Sequence, residues 1–257
     1  MQFEQALLLA GSALFGFSII SELVHPGRAG RHAAFAGCLA ALLALALRFY
    51  SSGRAPWASL PETAVPLALI VGLAAAYVSR RGQPPAFHAA LAALAALAML
   101  FAGLCWEPGG ALPGALQSPW LLVHVPAIIG SYALFAAAAA SSAAYVYLGL
   151  KKRADQATLA RLDRISLASV ALGTALLAAG IAMGAVWANA AWGAYWSWDP
   201  KETWSLITAA VYTLYLALRL KGVKGEDAAY VSLLGFASVL FTYFGVSYVI
   251  PGLHSYA

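Results

Sequence analysis

Eight long apolar runs divide this chain, and they constrain its fold more than any other feature. A membrane-spanning helix needs roughly 20 mostly apolar residues in succession. The runs cover approximately residues 3–24, 33–50, 64–79, 86–104, 121–150, 165–188, 203–220 and 229–250. Only 10% of all residues are charged, against about 25% in a typical soluble domain. The sequence therefore predicts an all-α, polytopic membrane helix bundle of about eight transmembrane helices, forming a single integral membrane domain over residues 1–257.

The lysines and arginines between the runs predict how the bundle lies in the membrane, because cytoplasmic loops carry an excess of both. Twelve fall in one set of alternating loops: Arg28, Arg31, Arg80, Arg81, Lys151, Lys152, Arg153, Arg161, Arg164, Arg219, Lys221 and Lys224. The other set holds three: Arg48, Arg54 and Lys201. We therefore expect a multi-pass protein of the inner (plasma) membrane with both termini outside. Its outer loops would be residues 51–63, 105–120 and 189–204.

Charge and cysteine content disfavour several classes of function. The net charge is +5, but the cations are not clustered as a nucleic-acid surface would require, so we expect the lipid bilayer and no nucleic acid as a partner. Cys38 and Cys105 are the two cysteines, without a C-x-x-C pair. They are predicted near opposite membrane faces, so neither a disulfide nor a cysteine-bound metal is expected. The opening MQFEQ lacks the positive region of a secretory signal, so the first run is interpreted as a retained span.

The segment WGAYWSWDPKETW, residues 192–204, holds four of the eight tryptophans; we call it the tryptophan segment. The predicted topology places every tryptophan on the outer side: Trp57, Trp106, Trp120, Trp187, Trp192, Trp196, Trp198 and Trp204. An interfacial aromatic belt would place tryptophans at both faces. The one-sided distribution therefore favours an external surface that binds a flat, apolar, partly anionic ligand.

Two of the five histidines are candidates for ligands. His124 lies about one turn inside the fifth predicted span and His254 just past the eighth, so the predicted topology brings both to the outer side. Imidazole is the usual neutral protein ligand for iron, and the pair beside the tryptophans favours two axial ligands of a haem. His25, His32 and His88 lie near helix ends on the predicted cytoplasmic side, where we expect interfacial solvation.

The polar end of the tryptophan segment also fits the start of a helix. Asp199, Pro200 and Glu202 match the N-cap, N1 and N3 positions of a capping box, so capping is the favoured role of both acids. A helix N-terminus also attracts anions. Three outer cations are available to pair with haem propionates: Lys201, Arg48 and Arg54.

These residues resemble a known family. The tryptophan segment resembles the WWD signature of the haem-handling cytochrome c assembly proteins. Its proline and its KETW ending are closer to the CcsA (ResC) branch, part of the system II cytochrome c synthase, than to the CcmC branch. GAVWANAAWG, SPWLLVHVPAIIGSYALF and LFTYFGVSYVIPGLHSYA extend the resemblance from about residue 115 onward. The first 110 residues match only in hydropathy and in an outer loop containing Trp57.

The resemblance implies a haem-binding and haem-presenting subunit of a cytochrome c synthase (haem lyase). Such a protein holds haem b as cargo at the outer face and presents it to apocytochrome c, whose C-x-x-C-H cysteines add to the vinyl groups. A CcsB-type membrane protein is the implied partner. His124 and His254 fall at the positions of the axial ligands. The other residues predicted to contact haem are Trp187, Trp192, Tyr195, Trp196, Trp198, Asp199, Lys201 and Trp204.

One position departs from the branch. The histidine that the branch carries in the span after the WWD motif is Ala217 here. That histidine is associated with an inner haem site, so the route of haem entry stays open. A haem transporter or exporter without synthase activity is the main alternative, although the spans hold few of the ionisable residues that mark a polar path. An electron-carrying cytochrome b and a tryptophan-anchored scaffold are further alternatives.

Overall fold

A computed structural model describes residues 2–250 and 252, and this part of the chain is helical without β-strands. The helices are α1 (Gln2–Val24), α2 (Arg28–Ser52), α3 (Leu60–Arg80), α4 (Pro85–Leu104), α5 (His124–Leu150), α6 (Gln156–Trp192), α7 (Pro200–Leu220), α8 (Glu226–Leu240) and α9 (Val246–Val249). Two 3-10 turns, Gly114–Leu116 and Pro119–Leu122, precede α5. A π-helical turn, Phe241–Gly245, joins α8 to α9.

Eight helical segments are long and apolar enough to cross a membrane, which confirms the predicted count and the fold class. The largest difference from the predicted spans concerns the sixth span. It was predicted at 165–188, but the helix covers Gln156–Trp192. The apolar run stops at the charged residues on its N-terminal side. The helix nevertheless continues through them, because alanine, leucine and arginine favour helix formation. Its first turn is capped by Asp155, whose Oδ1 accepts a hydrogen bond from the Thr158 amide at 2.8 Å. With 37 residues, α6 is about 55 Å long and exceeds the hydrocarbon thickness of about 30 Å.

The irregular stretches are shorter than two of the predicted outer loops. Within 51–63, only residues 53–59 lie outside α2 and α3, and within 189–204, only residues 193–199 lie outside α6 and α7. The predicted loop 105–120 stays irregular apart from the 3-10 turns.

The chain divides into two compact units, Met1–Ala111 and Leu112–Ala257. In the first unit, α1 packs against α2 and α4, and α3 packs against the same two helices, which closes a four-helix ring. In the second unit, α5 packs chiefly against α6 and α8, and α7 packs against α8 and α6. Alanine and glycine dominate these interfaces, as expected where membrane helices approach closely.

Arg48 and Arg54 are held inside the first unit. The Nε atom of Arg48 lies 3.5 Å from Glu62 Oε1, and its guanidinium carbon lies 4.1 Å from the ring centroid of Trp106. Arg54 donates two hydrogen bonds to the Glu62 carboxylate, at 2.8 and 3.0 Å. Both charges are therefore committed to a buried carboxylate, and neither guanidinium has the exposed charge that a propionate would need.

His88 is fully buried, so the expectation that it is an interfacial, solvated histidine is wrong. Its Nδ1 donates to the Ala75 carbonyl in α3 at 2.8 Å, and its Nε2 lies 2.9 Å from Ser18 Oγ in α1. The Ser18 hydroxyl also bonds the Gly30 carbonyl in α2 at 2.7 Å. A position in the first turn of α4 resembles an interface in sequence, but this imidazole links α4 to the three other helices.

Candidate functional site

Two glycines of α6 allow a close approach to the beginning of α5. A Cβ at Gly184 would lie 2.8 Å from His124 Cε1, and a Cβ at Gly180 would lie 2.5 Å from Ile128 Cδ1. Both distances are well below van der Waals contact, so a larger residue would displace its neighbour. Small residues in membrane helices ordinarily serve close helix packing. At Gly184 the missing side chain also makes room for an imidazole.

The imidazole of His124 is oriented by a backbone carbonyl. Its Nδ1 lies 2.9 Å from the Gly180 oxygen, and because a carbonyl only accepts, Nδ1 carries the proton of this bond. The lone pair of a neutral imidazole then belongs to Nε2. Metal-ligating histidines usually donate their second nitrogen in this way, since the bond fixes both the tautomer and the ring orientation.

Trp187 supports His124 from α6. The two ring centroids are 5.4 Å apart, with 70° between the ring planes. The indole is only 7% exposed, and its Nε1 donates to the Ala115 carbonyl at 2.9 Å. Trp187 therefore forms a buried wall beside the candidate ligand and does not present an open ring face to solvent.

The irregular part of the tryptophan segment turns on two left-handed residues. Gly193, which ends α6, has φ +80°, a conformation that glycine adopts without a steric penalty. Trp198 has φ +58°, which is costly for a residue with a Cβ. The Trp196 and Trp198 rings are perpendicular, with centroids 5.7 Å apart.

The rings of the tryptophan segment differ in exposure. Trp198 is 68% exposed and Tyr195 is 61% exposed. Three others are half-buried: Trp192, Trp196 and Trp204. Trp204 packs against Phe241 of the π-helical turn, with ring centroids 4.2 Å apart. Large exposed rings on one loop are suited to an interaction surface, so Tyr195 and Trp198 offer the most open area to a flat ligand.

Asp199 and Glu202 form the predicted capping box at the start of α7, where Lys201 lies half-buried. Asp199 Oδ1 accepts from the Lys201 amide at 2.9 Å. Glu202 Oε2 accepts from the Asp199 amide at 3.1 Å and from the Ser197 amide at 2.8 Å. The Glu202 carboxylate therefore binds the residues on both sides of Trp198 and holds its unfavourable backbone conformation.

The end of the described chain returns to this cap. A Cβ at Gly252 would lie 2.5 Å from Asp199 Oδ2 and 2.9 Å from Pro200 Cδ, so the backbone at position 252 packs directly on the first residues of α7. No sequence pattern predicted a role for Gly252. His254, the second predicted iron ligand, lies outside the described residues.

Ala217 lies on an exposed face of α7. Among residues 2–250 and 252, no group of three or more His, Cys, Asp or Glu side chains is placed to hold a metal ion. A haem iron, by contrast, needs only one or two histidines as axial ligands.

A family profile described as "Cytochrome C assembly protein" matches residues 57–254, which reaches further toward the N-terminus than the resemblance in the motifs. "Cytochrome c biogenesis protein CcsA" of Chlamydomonas reinhardtii is 46% identical over 148 residues, covering 55% of this chain and 42% of that protein. The protein of the same name from Prochlorococcus marinus is 34% identical over 250 residues, covering 82% of this chain and 79% of that protein.

The solved structure of "Cytochrome c Heme Lyase CcmF" matches with a TM-score of 0.65 at 22% identity, covering 95% of this chain and 46% of that one. At this identity the likeness shows a shared fold. The chain spans less than half the length of both the Chlamydomonas protein and CcmF.

Proposed function

Because this chain belongs to the cytochrome c assembly protein family, we propose that it is the haem-presenting subunit of a cytochrome c synthase. It would hold haem b as cargo at the outer membrane face, for covalent attachment to the C-x-x-C-H motif of apocytochrome c. The observation that carries the proposal is the geometry of His124, whose Nδ1 bond to the Gly180 carbonyl assigns the lone pair to Nε2.

The second axial ligand in this proposal is His254. Its support is the contact of Gly252 with the start of α7, because two residues of extended chain reach at most about 7 Å. In this proposal, a ligand two residues after Gly252 would be within reach of the tryptophan segment. Two imidazoles from distant parts of the sequence would then bind one iron.

The remaining contacts orient the porphyrin. The open faces of Tyr195 and Trp198 would stack on the ring system, a contact that favours flat apolar ligands. The Lys201 ammonium would pair with a propionate. The haem supplies the vinyl groups and the apocytochrome supplies the thiols. Each S–H adds across one C=C bond, so the step needs no net oxidant or reductant, and this chain positions the reacting edge.

A membrane partner of the CcsB type would pack on α7 in this proposal. Three of its large apolar side chains are exposed: Leu206, Ile207 and Leu214. This face, which includes Ala217, is available to lipid or to another membrane protein. The excess of lysine and arginine in one set of loops supports an inner-membrane protein whose haem face is extracytoplasmic.

The visible absorption spectrum of the purified chain tests the ligand assignment. We expect a low-spin, bis-imidazole haem in the wild type and loss of that signature in His124→Ala and in His254→Ala. His25→Ala is the matched control, because His25 is exposed in the first unit and should leave the spectrum unchanged. A full bis-imidazole spectrum in both ligand variants would show that the assignment is wrong.

Covalent attachment tests the synthase role separately. The chain is co-expressed with a CcsB-type partner and an apocytochrome that carries C-x-x-C-H, and haem that stays bound to the apocytochrome after denaturation is measured. We expect attachment that falls when His124 is replaced. Haem binding without any attachment would favour the transporter alternative.

A further inference from the structure

We propose that Trp187 is a positioning residue for His124, and that it acts through the hydrogen bond between its indole N–H and the Ala115 carbonyl. The inference rests on the proposed function, since it concerns how the imidazole that binds the iron is held. It gives Trp187 a role that differs from the direct haem contact predicted from the sequence.

One face of α6 surrounds the imidazole of His124. Gly180, Gly184 and Trp187 are spaced i, i+4 and i+7, so they lie on the same side of the helix. The first supplies the carbonyl that binds Nδ1, and the second leaves the space that the ring occupies. The indole closes this space, with its ring centroid 5.4 Å from that of the imidazole. The orientation of the imidazole therefore depends on the position of the indole.

The indole is itself fixed by a bond on its far side. Its Nε1 donates to the Ala115 carbonyl at 2.9 Å, and a buried indole N–H ordinarily has such a partner. Because tryptophan is the only apolar aromatic residue with a ring N–H donor, phenylalanine at this position would fill much of the space but could not make the bond. The bond is thus the specific reason for tryptophan at position 187.

The Ala115 carbonyl is a firm anchor for this bond. It belongs to the 3-10 turn Gly114–Leu116. The carbonyls of Pro113 and Gly114 each accept a hydrogen bond from the amide three residues further along, at 2.9 and 3.1 Å. The side chain of Leu116 is buried, with 4% exposed. The turn is therefore ordered by its own bonds and packing, and its next carbonyl is bonded from α6.

The same segment leads directly to the imidazole. A second 3-10 turn, Pro119–Leu122, follows the first, and α5 begins at His124. Trp187 thus contacts both ends of the stretch 115–124, through its N–H at one end and its ring at the other. Loss of the N–H bond should free the indole to turn, and the imidazole beside it would then bind the iron less well.

The test compares Trp187→Phe and Trp187→Leu in the full chain, purified in detergent as a folded, monodisperse fraction. Phenylalanine keeps an apolar ring without the N–H, and leucine lacks both. We expect Trp187→Phe to convert part of the low-spin haem to high-spin and to weaken haem binding about 10-fold, as for groups that support a metal ligand. Trp187→Leu should lose more of the low-spin signal. Visible absorption measures the spin state, and titration with haem measures the affinity.

Trp106→Phe is the matched control. Trp106 is 6% exposed and Trp187 is 7% exposed, and both donate the indole N–H to a protein oxygen. The partner of Trp106 is Glu4 Oε2 in the first unit, at 3.0 Å. Replacing it should lower thermal stability and leave the haem spectrum as in the wild type, so the control separates a lost structural bond from a displaced ligand.

A wild-type spectrum in Trp187→Phe would overturn the inference. So would weaker haem binding with a fully low-spin spectrum, because that result is expected of a ring that only stacks on the porphyrin. A high-spin signal of equal size in Trp106→Phe would also overturn it, since the loss of any buried indole bond would then suffice. A fully low-spin spectrum in His124→Ala would instead remove the proposed function on which the inference rests.

Discussion

Trp106 of the first unit and Trp198 of the second have opposite environments. In the first unit, Trp106 is 6% exposed; its Nε1 donates to Glu4 Oε2 at 3.0 Å, and its ring face meets the guanidinium of Arg48. In the second unit, Trp198 is 68% exposed and has an unfavourable backbone conformation. A buried, fully bonded indole contributes to the fold, whereas an exposed indole on a costly backbone indicates a functional surface.

The histidines show the same contrast. Both ring nitrogens of His88 are engaged inside the first unit, by the Ala75 carbonyl and by Ser18 Oγ. In His124 the Nδ1 bond to Gly180 orients the ring and assigns the lone pair of the neutral imidazole to Nε2. Burial separates the two: His88 is fully buried, whereas His124 is half-buried, although both histidines lie in the first turn of a helix.

The largest expected effect comes from His88→Ala. It leaves a cavity and removes the partners of a buried carbonyl and a buried hydroxyl, so the free energy of unfolding should fall by about 2–5 kcal/mol. Thermal unfolding in detergent measures the change, and His124→Ala serves for comparison. Haem bound per folded molecule should stay unchanged in His88→Ala and fall in His124→Ala. If His88→Ala unfolded like the wild type but lost haem, the contrast between the two histidines would be broken.

The second prediction concerns Gly184→Ala, which places a methyl group 2.8 Å from His124 Cε1. The imidazole must move, and haem affinity should fall about 10–100-fold, as when the support of a metal ligand is disturbed. Titration of haem into the purified protein measures it. Gly16→Ala in α1, which has open space, is the matched control and should bind haem normally. Equal affinities in the two variants would mean that Gly184 does not set the position of the ligand.

The features that could be predicted from sequence are local ones. Hydropathy depends only on neighbouring residues, and it yielded the eight spans. The capping box of Asp199 and Glu202 is a pattern over four positions, and the structure contains it. The start of α6 was misplaced because hydropathy is insensitive to helix propensity, which carries the helix through Arg161 and Arg164.

The rest depends on contacts between distant parts of the chain. The spacing of Gly180 and Gly184 suggests close packing, but nothing in the sequence shows that an imidazole occupies the gap. The burial of His88 follows from three helices that meet around it. The approach of Gly252 to Asp199 likewise exists only once the bundle has formed. Side-chain neighbours of this kind cannot be inferred from the periodicity of one segment.

The smallest expected effect concerns stability. The difference in stability between a glycine and an alanine variant should have opposite signs at Trp198 and at Trp106. At position 198 both glycine and alanine remove the ring, but only glycine adopts φ +58° without strain, so Trp198→Gly should be more stable than Trp198→Ala by about 1 kcal/mol. Trp106 is not among the described non-glycine residues with positive φ. There Gly should be less stable than Ala by about 0.4–1 kcal/mol, because glycine gives the unfolded chain more freedom.

Thermal unfolding of the four variants in one detergent measures both differences. Haem binding adds an independent reading, since both substitutions at position 198 should weaken it equally by removing a stacking surface, whereas those at position 106 should change stability alone. The same order of stability at both positions would show that the backbone of Trp198 stores no strain. The exposed indole would then be the only remaining sign of function at that residue, and the distinction between the two tryptophans would rest on exposure.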